Sequence, residues 1–575
     1  MGLSSHMGRT PLSAVARKDP VRPGNRSLYE NLEQVTLAFG QNSCVEFLGR
    51  DYSYREILDQ VHRVAAGLQR QGVKKGDRVV LFLPNSPYFV VSYYAILKIG
   101  AVVVNSNPLY AESELEHQLK DSGAEVLITI DIKELCQKAI KQLGRTPLRK
   151  VVICRLSQAM PILKGALFSL LQFHKVSHPT GPQILEFEDL ASSLDGAYPV
   201  EVKPADLAVL QYTGGTTGAP KGAALSHANV MANTEQVTAW FSNAVPGEER
   251  ILGVLPLFHV FAMTTVLNMG ISLGAQIILL PRFQLGQMLK TIDRLKPTLM
   301  MGVPTLYNAV NNSPVVDQYD LSSIKYCISG GAPLPLDCKH RFEELTGCVL
   351  VEGYGLSEAS PVCACNPVAG QNKEGSIGLP MPGTLLEIRS PEAPFELLPK
   401  GDKGELCITG PQVMTEYWHN SEATEKTICE GRLRSGDIGY MDKEGYVFLL
   451  DRLKDLILCN GYNVYPRNIE EAINRHPAVA EVTVIGVPDK EHGEIPKAFV
   501  KLHAGQQLSE ADLQEFLQKY LSVIERPRIV EFRKELPKTM IGKLSKKELR
   551  QEEQDAARGR SDSKHDLKGS DDGTS

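Results

Sequence analysis

Long apolar segments are missing from this sequence. It contains no run of about 18 apolar residues, so we predict no membrane-spanning helix. Residues 1–22 are polar and lack the apolar core of a secretory signal. We therefore expect a cytoplasmic protein, with residues 1–27 as a flexible N-terminus.

Signals for structural zinc and for nucleic acid are also missing. The eleven cysteines are scattered, and only Cys363 and Cys365 lie close together, without a second pair at the spacing of a zinc site. This distribution is typical of reduced thiols. The net charge is −5, so nothing indicates nucleic acid as a partner.

The pattern of helices and strands predicts an α/β fold. A chain of 575 residues exceeds one ordinary hydrophobic core, so we expect two or more domains. From Leu28 to Asp131, and again from Pro204 to Pro399, amphipathic helical segments alternate with short apolar strands. This alternation predicts layered subdomains built on largely parallel sheets.

The C-terminal part of the chain has a different pattern. Short strands with Gly and Asp turns in residues 401–450 indicate a small β-rich subdomain, which completes an N-terminal domain over residues 28–450. The charged residues 451–455 are expected to form a linker, followed by an α+β domain over residues 456–550. Residues 551–575 are polar and are predicted to be a disordered tail.

A loop rich in glycine and hydroxyl groups, YTGGTTGAPKG, runs from Tyr212 to Gly222. Leu207–Gln211 is an apolar segment of strand length, and Ser226 can cap a following helix, so the predicted order is strand, loop, helix. Backbone amides, hydroxyls, Lys221 and a helix N-terminus together suit a polyphosphate. The loop is neither a Walker A loop nor a G-x-G-x-x-G fingerprint. A flexible surface loop is the alternative interpretation.

A second glycine loop, GYGLSE, runs from Gly353 to Glu358. It is not a nucleophile elbow, because Ala359 occupies the position where G-x-S-x-G requires glycine. Tyr354 could stack on a purine, and Glu358 could hold Mg²⁺ through oxygen. A strand-to-helix turn with a capping serine is the alternative.

The loop Tyr212–Gly222 resembles the phosphate-binding signature of the adenylate-forming enzymes, which are the acyl-CoA synthetases, the adenylation domains of peptide synthetases and the luciferases. The resemblance extends from about Leu28 to Arg550 through several separate motifs. It implies a large N-terminal part that binds ATP and a mobile C-terminal domain. It implies metal binding by Thr213 and Glu358. The residues that the resemblance assigns to ATP or AMP are Thr213, Gly214, Gly215, Thr216, Thr217, Gly218, Lys221, Gly331, Ala332, Pro333, Glu352, Gly353, Tyr354, Gly355, Ser357, Asp437 and Arg452.

The resemblance also assigns catalytic residues. Lys543 lies in PKTMIGK, which resembles the catalytic-lysine loop of the family, although a solvated basic patch is the alternative. Lys221 and His259 complete the catalytic set, and a core histidine is the alternative for His259. The residues assigned to the acyl group are His259, Val260, Phe261, Met263, Thr264 and Gly330.

The start of the C-terminal domain carries two further assignments. Lys454 falls where the family has its hinge residue, and Gly461 and Tyr462 fall where the family forms its tunnel for the CoA thiol. A hairpin turn before a helix is the alternative for the Gly-Tyr pair.

Within the family, the motifs look most like bacterial long-chain fatty acid–CoA ligases. The implied reaction activates a fatty acid with ATP to acyl-AMP and transfers the acyl group to coenzyme A. The alternatives are another carboxylate, such as an aromatic acid, or a carrier protein as acceptor. A catalytically inactive acyl-binding protein is the alternative from another class.

One segment suggests contact with lipid. Pro161–Lys175 carries Leu163, Leu167, Leu170 and Leu171 at helical spacing, so it could lie in a membrane interface. A helix packed on the domain is the alternative. A peripheral location on the inner face of the membrane, and a homodimer, remain open expectations.

Overall fold

The computed structural model describes residues 26–192, 196–213, 220–392, 395–460, 462–489, 491–538 and 544–555. The chain divides into two compact units. Unit 1 contains the chain up to Leu386 together with Cys407–Arg434, and unit 2 contains Glu387–Leu406 together with the chain from Ser435 onward. The division does not coincide with the predicted boundary after residue 450, because Arg432–Met441 pairs with Val447–Arg452 in a hairpin.

Unit 1 contains a nine-stranded sheet within the described residues. The six central strands are parallel, and the strands at the two edges are antiparallel to their neighbours. The strands follow the order Leu379–Pro380, Val362–Cys365, Val349–Gly355, Tyr326–Ser329, Leu299–Gly302, Arg250–Gly253, Gln276–Leu279, Ser43–Phe47 and Arg50–Ser53.

Unit 1 also contains an eight-stranded sheet in the described part of the chain. Six of its strands are parallel, and a hairpin and a short strand complete one edge. The strands follow the order Glu416–Tyr417, Lys221–Ser226, Leu207–Thr213, Val102–Asn105, Arg78–Phe82, Val126–Ile130, Lys150–Cys154 and Ile184–Glu186. The predicted α/β fold with largely parallel sheets is confirmed.

The helices of unit 1 begin where the sequence supplies caps. Ser27, Ser53 and Ser226 each form a capping box with the residue three positions later. The α-helices are Leu28–Phe39, Tyr54–Arg70, Pro87–Lys98, Glu112–Ser122, Lys133–Ile140, Ile162–Leu171, Phe187–Ala191, His227–Trp240, Val260–Ala262, Met269–Ser272, Leu285–Leu295, Pro304–Asn311, Leu336–Thr346 and Ser421–Thr427. Shorter 3₁₀ turns lie at Leu156–Ala159, Phe173–Lys175, Val316–Gln318 and Ser357–Ala359.

A π-helical turn at Met263–Asn268 lies between the short helices Val260–Ala262 and Met269–Ser272. The Asn268 amide donates to the Met263 carbonyl and to the Tyr93 hydroxyl, and it accepts from the Tyr94 hydroxyl. Such turns leave backbone groups without their usual partners, and Asn268 supplies partners in a fully buried position.

Unit 2 carries the predicted α+β arrangement. Its helices are Pro466–Asn474, Glu510–Leu517 and residues 546–555, and a 3₁₀ turn lies at Leu453–Asp455. Its strands from residue 457 onward follow the order Tyr462–Val464, Ile457–Cys459, Gly493–Leu502 and Val479–Asp489, and Ile529–Phe532 pairs with Gly493–Leu502. Ile469 and Ile473 from the first helix, and Leu513 and Leu517 from the second, pack with the strands in one buried cluster.

The boundaries between the two units fall within three strands. These strands are Leu385–Arg389, Gly404–Thr409 and Arg432–Met441. In unit 1 the short strand Ile428–Cys429 pairs with the beginning of Arg432–Met441. In unit 2 the end of that strand pairs with Val447–Arg452.

Both predicted chain ends need correction. Residues 551–555 are helical, whereas the sequence predicted a disordered tail from residue 551. Glu552 and Glu553 form ion pairs with Arg533 and Lys497, which tie this last turn to the strands. At the other end, Ser27 is buried and caps a helix, so the flexible segment cannot extend to residue 27.

Candidate active site

The predicted phosphate loop lies in a hairpin. The strand Leu207–Thr213 leads into it, and the antiparallel strand Lys221–Ser226 leads out, with Thr213 opposite Lys221. The predicted order strand, loop, helix is therefore wrong, because a strand separates the loop from the helix His227–Trp240. The N-terminus of that helix therefore does not follow the loop directly, contrary to our expectation. The loop residues Gly214, Gly215, Thr216, Thr217 and Gly218 lie outside the described residues.

Lys221 and Glu358 meet at one tyrosine. The short strand Glu416–Tyr417 pairs with Lys221–Ser226 and places the Tyr417 ring 5.2 Å from the Lys221 Nζ. The Tyr417 hydroxyl donates to Glu358 Oε1 at 2.6 Å. Burial, and then the Glu358 charge, raise the pKa of Tyr417 well above its ordinary value, so it stays a hydrogen-bond donor. Our sequence reasoning gave Tyr417 no role, although it lies in a segment that contributed to the resemblance.

The turn Ser357–Ala359, which contains Glu358, packs against both strands of the hairpin. Thr213 and Glu358 offer hydroxyl and carboxylate oxygens, the donor chemistry that Mg²⁺ prefers. The described residues contain no group of three or more His, Cys, Asp or Glu side chains that could hold a metal. A pair of oxygen donors still fits Mg²⁺, because this ion commonly takes one or two protein ligands and completes its shell with phosphate and water.

The predicted adenine-side loops lie at the ends of two neighbouring parallel strands. Tyr326–Ser329 leads into Gly330, Gly331, Ala332 and Pro333, and Ser329 lies opposite Glu352 on the strand Val349–Gly355. Ligands bind at this edge of open α/β sheets.

Two glycines in this region permit close backbone approach. A Cβ atom at Gly355 would lie 2.2 Å from the Pro361 carbonyl oxygen, and one at Gly353 would lie 2.9 Å from Ile328 Cγ2. Side chains at these positions would push the strand Val349–Gly355 away from its neighbours. Tyr354, between them, is half-buried.

The predicted acyl-binding segment begins at His259. Its Nδ1 accepts from the Phe261 amide, so the ring caps the short helix Val260–Ala262. A Cβ atom at Gly330 would lie 3.1 Å from the Phe261 ring, so these two predicted acyl residues are neighbours. The Thr264 hydroxyl donates to the Ser360 carbonyl at 2.5 Å, which ties the segment to the loop after Glu358.

Val260, Met263 and Thr264 are almost completely buried. In the described conformation they are packed in the core, and Phe261 is the half-buried member of the segment. Their role as an acyl lining stays a prediction.

Two buried amides missed by the sequence analysis connect these pieces. Gln211 belongs to the strand before the phosphate loop and donates to the Phe258 carbonyl beside His259. Asn105, on the neighbouring strand, donates to the Gln211 side chain and approaches the Met263 sulfur. Each amide follows an apolar segment at the end of a strand, and that position is the signal that could have identified them.

In unit 2, the two residues predicted to bind ribose form an ion pair. Asp437 and Arg452 lie opposite each other in the hairpin, and Arg452 Nε lies 3.1 Å from Asp437 Oδ1. The Asp437 side chain is buried and the Arg452 side chain is half exposed. The pairing holds the carboxylate at one place, as recognition of two vicinal hydroxyls requires.

The predicted hinge residue Lys454 lies in the 3₁₀ turn Leu453–Asp455. Burial lowers the pKa of its ammonium, and the Arg452 charge lowers it further. Asp455 is buried and pairs with Arg550 at 2.7 Å, which anchors the turn on its C-terminal side.

The remaining predicted residues of unit 2 are described only in part. Tyr462 is exposed at the start of the strand Tyr462–Val464. Gly461 and the predicted catalytic Lys543 lie outside the described residues.

The tyrosine contact is testable by itself. Tyr417→Phe should lower kcat by about tenfold, since a hydrogen bond to a charged group contributes about 1.5–3 kcal/mol and positions Glu358. Tyr440→Phe is the matched control, because that ring stacks on Phe448 in unit 2 and should leave kcat unchanged. Steady-state rates at several Mg²⁺ concentrations provide the measurement. Equal rates for wild type and Tyr417→Phe would show that the contact does not serve the site.

Comparisons with known proteins identify the family of the chain. Residues 32–418 match the family model described as AMP-binding enzyme, and residues 468–543 match the AMP-binding enzyme C-terminal domain. The chain is 44% identical over 535 residues to a long-chain-fatty-acid–CoA ligase of Bacillus subtilis (strain 168), covering 92% of this chain and 95% of that protein. It is 38% identical over 570 residues to a long-chain-fatty-acid–CoA ligase of Escherichia coli O6:H1, covering 97% and 99%.

A solved structure agrees with the fold. The crystal structure of the anthranilate CoA ligase AuaEII in complex with anthranoyl-AMP has a TM-score of 0.82 and 27% identity, covering 93% of this chain and 98% of that one. The family model spans more than half of the chain, and the resemblance inferred from the motifs is confirmed. The chain belongs to the AMP-binding enzyme family.

Proposed function

We propose that this protein is an ATP-dependent ligase that activates a long-chain fatty acid and joins it to coenzyme A. The observation that carries the proposal is the 44% identity, over 92% of the chain, to a relative named long-chain-fatty-acid–CoA ligase. The contact of Lys221 and Glu358 with Tyr417 in unit 1, and the pair Asp437–Arg452 in unit 2, support it, because each contact fixes a charged side chain that the resemblance assigns to ATP.

The first half-reaction forms acyl-AMP. A carboxylate oxygen attacks the α-phosphorus of ATP, and the bond to the β-phosphate bridging oxygen breaks as pyrophosphate leaves. Catalysis consists mainly of positioning and charge neutralisation. We assign the charge of the departing pyrophosphate to Lys221 and the loop amides, and that of the α-phosphate to Lys543. Thr213 and Glu358 would hold Mg²⁺, which would supply further positive charge for the phosphates.

The second half-reaction forms the thioester. The C-terminal domain rotates about Lys454, which removes Lys543 and brings Gly461 and Tyr462 to the path of the thiol. The CoA sulfur attacks the acyl carbon, the acyl–oxygen bond to AMP breaks, and the thiol proton is released. We further propose domain boundaries after residues 450 and 455 for this movement.

A second candidate function has its own support. The structural relative AuaEII is named an anthranilate CoA ligase, so an aromatic carboxylate is the main competing substrate class. Transfer to a carrier protein is a third form of the same chemistry. Pyrophosphate release with a panel of acids, with and without CoA, separates them. Release with fatty acids and CoA-dependent thioester formation are expected, whereas no release with any acid would indicate an inactive binding protein.

Chain-length preference follows from the apolar character of the predicted acyl segment. We expect kcat/KM to increase from acetate to medium and long fatty acids, because each buried CH₂ contributes about 0.8 kcal/mol. Initial rates for a series of straight-chain acids provide the test. A maximum at acetate or at an aromatic acid would contradict this preference.

We also propose peripheral contact with a membrane. The described residues include no helix long and apolar enough to cross a bilayer. The helix Ile162–Leu171, called here the apolar helix, nevertheless exposes five large apolar side chains, with Ile162 at 90% and Leu163 at 86% exposure. The alternative of a helix packed on the domain accounts only for Gly165, its one buried residue. A helix of this kind suits the interface between headgroups and acyl chains.

The membrane contact predicts a clear loss on substitution. Leu167→Asp with Leu171→Asp should abolish flotation with anionic liposomes, because each leucine loses about 1.5–3 kcal/mol of apolar burial. Leu37→Asp with Leu109→Asp is the matched control, since both leucines are exposed in unit 1 outside the apolar helix. Unchanged flotation of the first variant would remove membrane contact from the proposal. Nothing in the described residues supports a homodimer, which stays a prediction.

A further inference from the structure

A cavity of about 500 Å³ lies beside the beginning of the apolar helix. The residues that line it come from a β-hairpin, from the apolar helix and from the helix Leu285–Leu295 with its preceding strand. They are Glu46, Leu48, Lys164, Leu280, Gln287, Lys290, Thr291 and Arg294. We call this space the cationic cavity.

The charges of the cationic cavity do not cancel. Lys164, Lys290 and Arg294 contribute three positive charges, and Glu46 contributes one carboxylate. Arg294 lies 3.4 Å from Glu46, whereas Lys164 donates to the Leu48 carbonyl and forms no ion pair among the described residues. Lys290 likewise has no ion-pair partner in the described part of the chain. Two ammonium groups are therefore available to an anion.

The Glu46 carboxylate already has partners within the protein. Its side chain is 5% exposed, and its Oε1 accepts from the Gly49 amide at 2.7 Å in the hairpin turn. Burial raises the pKa of this carboxyl, while the Gly49 hydrogen bond and then Arg294 oppose the shift. The carboxylate thus orients Arg294 and the turn, and it also attracts the Lys164 ammonium without forming an ion pair with it.

The apolar helix presents its leucines on the side away from the protein. Leu163, Leu167, Leu170 and Leu171 recur at i, i+4, i+7 and i+8 and share one face. The buried Gly165 lies on another face, where a Cβ atom would approach the Ser157 carbonyl to 2.2 Å. Lys164 is the next residue after Leu163, so one short segment supplies both the apolar face and a cation of the cavity.

We propose that the cationic cavity binds the phosphate-bearing headgroup of an anionic phospholipid while the apolar helix lies in the bilayer interface. This inference rests on the membrane contact in the proposed function and adds a lipid-binding site to it. The charge complementarity favours an anionic lipid surface over a second copy of the chain, which would place the same cations against each other. Exposed apolar side chains together with nearby basic groups suit such a surface.

Charge reversal in the cavity tests the lipid preference. Lys164→Glu with Lys290→Glu should weaken partition onto vesicles of phosphatidylcholine with phosphatidylglycerol by at least about tenfold, since each basic residue near an anionic surface contributes to binding. Partition onto pure phosphatidylcholine should not change. Lys133→Glu with Lys519→Glu makes the same change in net charge at exposed lysines elsewhere and should bind as wild type. Equal weakening by both pairs would show diffuse attraction and would overturn the site.

Filling the cavity tests the site itself. Gln287→Trp should reduce the affinity for monomeric dihexanoyl-phosphatidylglycerol at least about tenfold, because a tryptophan occupies the space of the headgroup. Leu167→Asp with Leu171→Asp should keep that affinity, since it leaves the cavity intact. Isothermal titration measures both. If Gln287→Trp binds the lipid with unchanged affinity, the site is overturned. It is also overturned if the wild type forms a dimer during sedimentation without lipid and Leu167→Asp with Leu171→Asp abolishes that dimer.

Enzyme activity separates this inference from the proposed function. Acyl-CoA synthesis from a soluble acid such as decanoate should be the same in wild type, Lys164→Glu with Lys290→Glu, and Gln287→Trp. Absence of activity in the wild type would contradict the ligase and leave the lipid titrations interpretable. Loss of soluble activity in the cavity variants alone would assign the cavity to catalysis and overturn the lipid site.

Discussion

Lys543→Ala is expected to lose acyl-AMP formation by a factor on the order of 10² to 10³, the usual cost of removing a preorganised charge-stabilising group. Negative charge develops on the α-phosphate oxygens during adenylation, and Lys543 is the cation that we assign to them. Thioester formation develops no such charge on phosphorus, because the acyl carbon is attacked. The same variant, supplied with synthetic acyl-AMP and CoA, should therefore form acyl-CoA at nearly the normal rate.

Two assays separate these half-reactions. Pyrophosphate release in the absence of CoA reports adenylation, and AMP release from synthetic acyl-AMP with CoA reports thioester formation. Lys547→Ala is the matched control, because this exposed lysine lies four residues away and should leave both rates unchanged. Equal damage to both half-reactions by Lys543→Ala would show that the lysine is structural, or that the domains do not alternate.

Lys454→Pro is expected to reduce thioester formation about 10²-fold and to leave adenylation nearly intact. Proline fixes φ near −65°, which is compatible with the 3₁₀ turn Leu453–Asp455 but resists the rotation that the second half-reaction requires. An imposed backbone conformation of this kind costs about 3 kcal/mol, which corresponds to about 10²-fold in rate. The effect is the reverse of that of Lys543→Ala.

Lys454→Ala provides the control for the hinge. It removes the ammonium next to Arg452 without restricting the backbone, so both half-reactions should continue at rates near those of the wild type. Similar losses in Lys454→Ala and Lys454→Pro would assign the effect to the side chain. Full thioester formation in Lys454→Pro would show that the chain rotates elsewhere or does not rotate.

Local signals in the sequence were sufficient for most elements of the fold. The helix beginning after Ser226 has the predicted cap, because caps act through neighbouring backbone groups. The alternation of helices and strands predicted the parallel sheets for a similar reason, since parallel neighbours require a crossover connection. The end of the last helix was missed because ion pairs from Glu552 and Glu553 to residues distant in sequence hold it.

The candidate site was predictable only as separate motifs. Thr213, Lys221, Glu358, Asp437 and Arg452 were assigned through the resemblance of these motifs to the family. Their neighbours Gln211 and Asn105 look like ordinary strand residues in the sequence, and their importance follows from hydrogen bonds to Phe258 and between themselves. Lys543 and the glycines of the phosphate loop lie outside the described residues, so their roles stay predictions.

By itself, the sequence determined the family, the α/β class and the order of the binding motifs, because these depend on residue types at short spacing. Only the tertiary structure decided that a strand follows the phosphate loop, that Tyr417 joins Lys221 to Glu358, and that the leucines of the apolar helix face away from the protein. These features depend on contacts between residues up to about 200 positions apart in the chain, or on which face of an amphipathic helix meets the core. Periodicity in the sequence gives the width of an apolar face but not what covers it.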